Sequence, residues 1–350
     1  MTARRIVCWA DAGPAFGLGH VSRTLAIAEA CAARGAACRF VLPADPTARA
    51  WLAAAGMPEP ILLGEQDPAL VRVLEAAADA DAVVVDVQRP LAAAEVRALG
   101  ACAPVLLVDD TGPGAAEAAL VLAPFGAPPA GGAGARWLVG PAHVPLRRAF
   151  ETRPAPARAS RGGEPLVLVS LGATDPGGLT VPVVETLGAL RAAGTRLDAC
   201  VLANPASAVW RALPALLGRL DLLPAVAAEP ERMPAWLAAA DLAVVAMGVT
   251  VYEAMACGVP AIVVCRTSGD VEHARALEAT GAIVSLGPHW TPPRLAAAVE
   301  ALAGDPVRRV AMGAVGRTLV DGRGADRVAA RVLGIGGEVE VRDAGGRIAV

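Results

Sequence analysis

A glycine-rich stretch that ends in a histidine is the first candidate for chemistry in this 350-residue chain. The segment DAGPAFGLGH (Asp11–His20) lies between the apolar run RIVCWA and a helix-like segment. Gly17 and Gly19 let another molecule approach the backbone, and the following helix start offers N–H groups and a positive dipole end to phosphate. That dipole disfavours an imidazolium, which leaves His20 as a neutral general base. The alternative interpretation is a tight turn with a capping or exposed histidine.

A second polar loop, LGATDPGGLT (Leu171–Thr180), also lies between a strand-like and a helix-like segment. Gly172, Thr174 and Asp175 would give it a polar wall rich in accessible backbone. We predict that this wall contacts a nucleotide or sugar. The alternative is that Asp175 only begins a turn.

A third loop opens the segment AMGVTVYEAMACGVP (Ala246–Pro260). Backbone N–H groups at Gly248, Val249 and Thr250 can hold a diphosphate at the start of a helix. The Glu253 carboxylate can accept hydrogen bonds from both hydroxyls of a ribose. Alternatively, Glu253 is a charge near a helix N-terminus, with an effect of about 0.3–1 kcal/mol.

Composition excludes several other classes of function. The chain is 55% hydrophobic, but every apolar run is broken by a charge, Pro or Gly before the roughly 18 residues of a membrane span. Its first residues lack the apolar core of a secretory signal, so a cytoplasmic protein without stable membrane insertion is expected. A formal net charge of −3 argues against nucleic acid as a partner. Seven scattered cysteines predict neither a disulfide scaffold nor a metal site.

Strand-like and helix-like segments alternate along the chain, which predicts α/β domains with parallel, doubly wound sheets. The alternation is interrupted once, by a proline- and arginine-rich stretch. We therefore predict a Rossmann-like domain over residues 1–150, a linker over 151–164, a second Rossmann-like domain over 165–330 and an unassigned tail over 331–350. Ligands bind such sheets at the carboxyl ends of the strands, so the three loops are expected to line a cleft between the domains.

Four segments occur in an order that resembles the UDP-sugar hydrolases of pseudaminic acid biosynthesis: DAGPAFGLGHVSRTLAIAEACAARG, LVGPAHVPLRRAF, LVSLGATDPGGLT and MPAWLAAADLAVVAMGVTVYEAMACGVPAIVV. The chain is also similar to spore-coat polysaccharide proteins and, more distantly, to peptidoglycan-type GlcNAc transferases. The resemblance implies a GT-B fold and a UDP-linked amino sugar as the small-molecule partner. It also implies hydrolysis without metal or cofactor, releasing a 2,4-diacetamido-2,4,6-trideoxy hexose for nonulosonic acid or flagellin and surface glycan synthesis.

The resemblance assigns roles to individual residues. His20 matches the histidine that helps to activate water at the anomeric carbon. Glu253 matches the ribose-binding carboxylate, and Gly248–Val251 matches the diphosphate segment. Three further positions around the first loop match and are predicted to bind the nucleotide sugar: Gly17, Gly19 and Arg23, the last at a usually basic position.

The chain departs from that family at two places near the sugar. Gln88 replaces a tyrosine after the strand VVVDV, and the segment CRTSGDVEH replaces an asparagine–glutamine pair. Other polar side chains must then contact the sugar, or the sugar is different. The candidates for this pocket are Asp11, Gln88, Ser268, Asp270 and His273.

Three functions remain open at this level. Hydrolysis is preferred because the first two matching segments follow the hydrolase branch. A soluble glycosyltransferase would use the same site with a sugar, lipid or protein hydroxyl in place of water. A non-catalytic nucleotide-sugar binder is the third. The sequence carries no indication of oligomeric state.

Overall fold

The structure is a computed structural model that describes residues 3–13, 16–125, 136–151, 163–172, 175 and 177–334. Thr174, most of the predicted linker and residues 335–350 of the predicted tail lie outside these ranges. The described residues form two compact units. The first contains the described residues within 3–13, 20–145 and 325–334, and the second contains those within 16–19 and 146–324.

The first unit is built on a seven-stranded sheet in which every pair of neighbouring strands is parallel. The spatial order is β3-β2-β1-β4-β5-β6-β7. The strands are β1 (Arg5–Ala10), β2 (Ala37–Pro43), β3 (Ile61–Leu63), β4 (Ala82–Asp86), β5 (Val105–Val108), β6 (Leu120–Ala123) and β7 (Trp137–Val139). The intervening helices are α1 (Gly19–Ala32), α2 (Pro46–Ala54), α3 (Ala69–Ala77) and α4 (Ala93–Cys102).

Local sequence explains these elements. All five residues of β4, AVVVD, are buried, as expected for a β-branched strand covered on both faces. The helix α2 begins where the Asp45 carboxylate accepts the Ala48 N–H at 2.7 Å, with Pro46 as its first residue. The three-residue strand β3 was not predicted because it is too short to show a period.

The second unit repeats the design with a six-stranded parallel sheet in the order β10-β9-β8-β11-β12-β13. Its strands are β8 (Leu166–Ser170), β9 (Asp198–Ala203), β10 (Val226–Ala227), β11 (Leu242–Ala246), β12 (Ala261–Val264) and β13 (Ile283–Ser285). Its helices are α5 (Thr180–Ala192), α6 (Leu213–Arg219), α7 (Met233–Ala239), α8 (Val249–Cys257), α9 (Ser268–Glu278), α10 (Pro292–Ala303) and α11 (Pro306–Leu319). The predicted α/β class with two parallel sheets is therefore confirmed.

A last helix, α12 (Gly324–Gly334), belongs almost entirely to the first unit. The Arg327 side chain donates to the carbonyl oxygen of Ala142 at 2.8 Å, and Arg34 on α1 forms an ion pair with Asp326. The predicted end of the second domain, residue 330, falls inside this helix. The chain thus returns to the first unit after completing the second.

Candidate active site

The first unit places the predicted base at the centre of its sheet. Strands β1 and β4 are neighbours there, and the chain continues outward from them in opposite directions. The carboxyl ends of two such strands form the crevice in which open α/β sheets bind ligands. His20 is the second residue of α1, which follows β1, and Asp86 is the last residue of β4.

His20 and Asp86 form a hydrogen-bonded pair. The Nδ1 atom of His20 lies 2.6 Å from Oδ1 of Asp86. The Asp86 side chain has no exposed surface, whereas that of His20 is 13% exposed. This is the arrangement of a base whose second nitrogen is oriented by a buried carboxylate.

The Asp86 carboxylate is ionised because of its neighbours. Burial alone raises its pKa, but the Arg23 guanidinium and the hydrogen bonds from Arg23 and His20 outweigh burial and hold the pKa below its ordinary value. An ionised carboxylate only accepts hydrogen bonds, so Nδ1 of His20 is the donor. In the neutral ring the lone pair therefore lies on Nε2.

Gln88 lies beside that reactive nitrogen. Its Oε1 atom is 3.3 Å from Nε2 of His20, where it can accept a hydrogen bond from the N–H of a charged ring. A half-turn of the amide presents its N–H groups to a neutral ring instead. The backbone N–H of Gln88 donates to Asp11 Oδ2 at 2.7 Å, which ties the segment after β4 to the end of β1.

Arg23 is part of this cluster but is buried. Only 6% of the residue is exposed, and its guanidinium donates through Nε and Nη2 to the two oxygens of Asp86 at 2.8 and 2.7 Å. The sequence predicted a contact with the nucleotide sugar for this residue. Its two donating N–H groups are instead directed at Asp86, a carboxylate of the protein itself. Among the predicted glycines, Gly17 has a positive φ of 69°, while Gly19 is the first residue of α1.

The other predicted residues of the second unit lie in the loops and helices that follow the carboxyl ends of its strands. Strands β8 and β11 are central neighbours, and the loop after β11 leads directly into α8. Gly248 precedes that helix, and Val249 and Thr250 are its first residues. Their backbone N–H groups lie at the helix N-terminus, where an anion is stabilised.

Glu253 lies one turn further along α8 and is buried, with 9% of the residue exposed. Burial raises its pKa to about 7, against the positive charge of Arg147 and the hydrogen bond from Thr250, which both lower it. Arg147 also lies 3.8 Å from Glu231. Glu253 is thus a carboxyl group that changes charge near neutral pH, held in an apolar helix.

Two other predicted carboxylates cap helices. The oxygens of Asp175 accept the N–H groups of Leu179 and Thr180 at 2.8 and 3.2 Å, at the start of α5. Asp175 has a positive φ of 47°, and nearby Gly172 one of 101°. This geometry matches the alternative interpretation in which Asp175 organises a turn.

The Asp270 carboxylate accepts the N–H groups of Arg266 and Thr267 at 2.8 and 3.1 Å, which caps α9. Ser268 is the first residue of that helix, and His273 lies half-buried further along it. The structure therefore groups these three predicted sugar contacts on one helix of the second unit.

Asp86 was missed as a site residue. The available signal was a lone acidic residue at the carboxyl end of an otherwise apolar strand, AVVVD. Arg147 was likewise missed, although it lies within the matching segment LVGPAHVPLRRAF. Neither residue type is informative until the fold brings it beside its partner.

No helix within the described part of the chain is both long and apolar enough to cross a membrane. Across the same residues, no group of three or more His, Cys, Asp or Glu side chains is arranged to hold a metal ion.

Comparison with known proteins yields similarity at the level of structure. No protein-family model matches the chain, and no curated protein sequence matches it. Solved structures do match over nearly the whole chain. MurG from Acinetobacter baumannii is 16% identical with a TM-score of 0.63, covering 95% of this chain and 100% of its own.

Two other matching structures were solved with a nucleotide. The S. aureus MnaA–UDP structure is 11% identical with a TM-score of 0.65, covering 95% of this chain and 96% of its own. The spinosyn rhamnosyltransferase SpnG complexed with thymidine diphosphate is 16% identical with a TM-score of 0.59, covering 94% and 99%. At these identities the comparisons show the fold alone, and that fold is the predicted GT-B fold.

Proposed function

We propose that the protein cleaves the bond between the sugar and the diphosphate of a UDP-sugar, with His20 as the general base. The observation that carries this proposal is the 2.6 Å contact between His20 Nδ1 and the buried Asp86 carboxylate. It leaves Nε2 as the proton acceptor and stabilises the imidazolium that forms.

The reaction transfers one proton and exchanges one bond. Nε2 of His20 takes the proton of an attacking hydroxyl, whose oxygen forms a bond to the anomeric carbon. The bond from that carbon to the diphosphate oxygen breaks, and its electron pair leaves with UDP. General-base catalysis of this kind contributes about 10²–10⁴-fold to the rate.

The second unit is proposed to bind the nucleotide. The N–H groups at the start of α8, from Gly248 to Thr250, are suited to the diphosphate and to the negative charge that develops on it. Glu253 is suited to the two ribose hydroxyls in its ionised form. The solved structures with UDP and thymidine diphosphate support a nucleoside diphosphate as the ligand class.

Water is the first candidate for the attacking hydroxyl. The glycine-rich histidine segment and the segment LVGPAHVPLRRAF support hydrolysis, with a diacetamido deoxy-hexose as the released sugar. Transfer to another hydroxyl is the second candidate, and the matching rhamnosyltransferase structure supports it. The same base serves both reactions.

The test is to incubate the purified protein with UDP-linked amino sugars and to follow UDP by chromatography. Release of UDP in buffer alone indicates hydrolysis, and release only with an added hydroxyl acceptor indicates transfer. Tight binding without release in either condition would contradict catalysis and indicate a binding protein.

We predict that His20→Ala lowers turnover at least about 100-fold, because the attacking hydroxyl loses its proton acceptor. UDP affinity should change little, which calorimetry measures. The matched control is His289→Ala, since His289 is exposed on a loop of the second unit. Equal turnover in the two variants would remove His20 from the mechanism.

A further inference from the structure

The buried Arg23 has a place in the cluster that the proposed reaction does not yet explain. It lies three residues after His20 on α1, so both side chains are on one face of the helix. Its Nη2 atom is 3.2 Å from Nδ1 of His20, and both groups donate to the same oxygen of Asp86. A guanidinium and an imidazole therefore share one carboxylate.

The charged groups around the cluster of His20, Arg23 and Asp86 come from several elements of the first unit. Asp86 ends β4, and Asp109 follows β5 with Oδ2 at 3.5 Å from Nη1 of Arg23. Asp11 follows β1 and holds the backbone beside the ring through Gln88. Arg23 is the guanidinium among these acidic groups, and its charge offsets that of Asp86 at 2.7 Å.

A second contact fixes the guanidinium from the side. It lies over the ring of Phe125, with 5.2 Å between Arg23 Cζ and the ring centroid. Such a cation–π contact is stronger in a desolvated site than at the surface. Together with the two hydrogen bonds to Asp86, it holds the guanidinium on two sides.

We propose that Arg23 is a positioning residue that fixes Asp86, and through it the Nδ1–H tautomer of His20, and that its charge offsets the attraction of Asp86 for a second proton on the ring. Without Arg23, the uncompensated Asp86 charge would attract a second proton onto the ring more strongly. The two-bond fork prevents this and also keeps the accepting oxygen in place. The kinetic part of this inference rests on the proposed function, whereas the tautomer and charge of the ring do not.

The experiment is ¹⁵N NMR of the four histidine rings in the 350-residue chain, with the His20 signals assigned through His20→Gln. In Arg23→Gln we expect the midpoint of the His20 titration to rise by at least one pH unit. The acidic limb of the pH profile of kcat/KM should move to higher pH together with this midpoint. As a result, kcat/KM near pH 7 should fall at least tenfold. KM for the UDP-sugar should change less than threefold, because Arg23 is buried and its guanidinium donates to Asp86.

Arg23→Lys is the companion variant, and it also serves if Arg23→Gln does not fold. It keeps the positive charge but loses the fork, so a detectable fraction of the Nε2–H tautomer is expected. The double variant Arg23→Gln/Asp86→Asn should bring the titration midpoint back towards the wild type.

An unchanged midpoint in folded Arg23→Gln, or an exclusively Nδ1–H ring in Arg23→Lys, would overturn the proposal. The NMR readouts need no substrate. If the wild-type protein shows no turnover, the proposed function is contradicted. The assignment of Arg23 is still tested by the ¹⁵N signals of the His20 ring.

Discussion

The same imidazole side chain occurs four times in the chain, and its surroundings differ between the positions. Nδ1 of His143 lies 2.9 Å from the carbonyl oxygen of Val139, and His289 is exposed. His20 is instead paired with the buried carboxylate of Asp86. A carbonyl orients a ring, but a carboxylate also stabilises the positive charge that a base acquires. This difference distinguishes His20 from His143 and His289.

Glu253 makes a pH-dependent contribution to stability. Its pKa is about 7 in the folded protein, above the ordinary 4.5, so the folded state binds more protons than the unfolded state between these values. Stability is therefore lost as the pH rises from about 4.5 to 7, by up to roughly 3 kcal/mol. In Glu253→Gln this loss disappears, and the variant should gain stability over the wild type between pH 5 and 8 in urea unfolding.

The same substitution, Glu253→Gln, also tests the role of this carboxylate in UDP binding, independently of its effect on stability. UDP should bind the wild type more tightly as the pH rises through 7, because ribose hydroxyls donate to the ionised carboxylate. Glu253→Gln should bind UDP weakly, with no such pH dependence, in calorimetry. Glu272→Gln, at an exposed position of α9, is the control for both measurements. Identical pH dependence in the two variants would contradict the assignment of Glu253.

At the scale of elements, the orientation of α8 depends on a close helix contact. A Cβ atom built on Gly313 of α11 would lie 2.1 Å from the carbonyl oxygen of Gly258, at the end of α8. Gly258 itself has a left-handed φ of 73°, which ends that helix. The helix proposed to bind the diphosphate is thus held at its far end by two glycines.

Gly313→Ala should lower the free energy of unfolding by about 1–3 kcal/mol, because backbone atoms must move to admit the methyl group. The measurement is urea unfolding followed by circular dichroism. Gly100→Ala is a matched helical control, since nothing lies within 4 Å of its Cβ position on α4. That variant should gain about 0.5–1 kcal/mol from helix propensity. Similar effects of the two substitutions would contradict the close contact.

At the scale of the whole molecule, the first unit is built from two parts of the chain that are far apart in sequence. The helix α12 is counted with that unit and buries Val328 and Val332 completely. Because the segment lies after the whole second unit in sequence, the first unit is completed only when the last helix has been made. Its stability therefore depends on residues far apart in sequence, such as Arg327 and Ala142, which are 185 positions apart.

Val332→Ala should cost about 2 kcal/mol, since it removes two buried methyl groups and leaves a cavity. Val307→Ala, on α11 with 78% of the residue exposed, is the same change on the surface and should stay within about 0.5 kcal/mol. Both are measured by thermal and urea unfolding. Equal losses would mean that α12 is not part of a packed core.

Much of the architecture was predictable because it depends on local patterns. Apolar runs such as AVVVD and RIVCWA are typical of parallel strands, and the glycine-rich turns between strand and helix marked two of the candidate loops. These signals predicted two α/β units and placed His20 and Glu253 on the correct helices. They did not reveal β3 or the return of α12, because a three-residue strand has no period and packing partners are not local.

The sequence by itself determined the kinds of element in this protein, since burial patterns and helix signals act over a few residues. Only the tertiary structure decided which side chains meet. Asp86 is 66 residues from His20 along the chain, and the two are brought to 2.6 Å by the parallel pairing of β1 with β4. That contact makes the imidazole an oriented base, because the pairing of distant strands, and not the local pattern of either segment, sets where their ends meet.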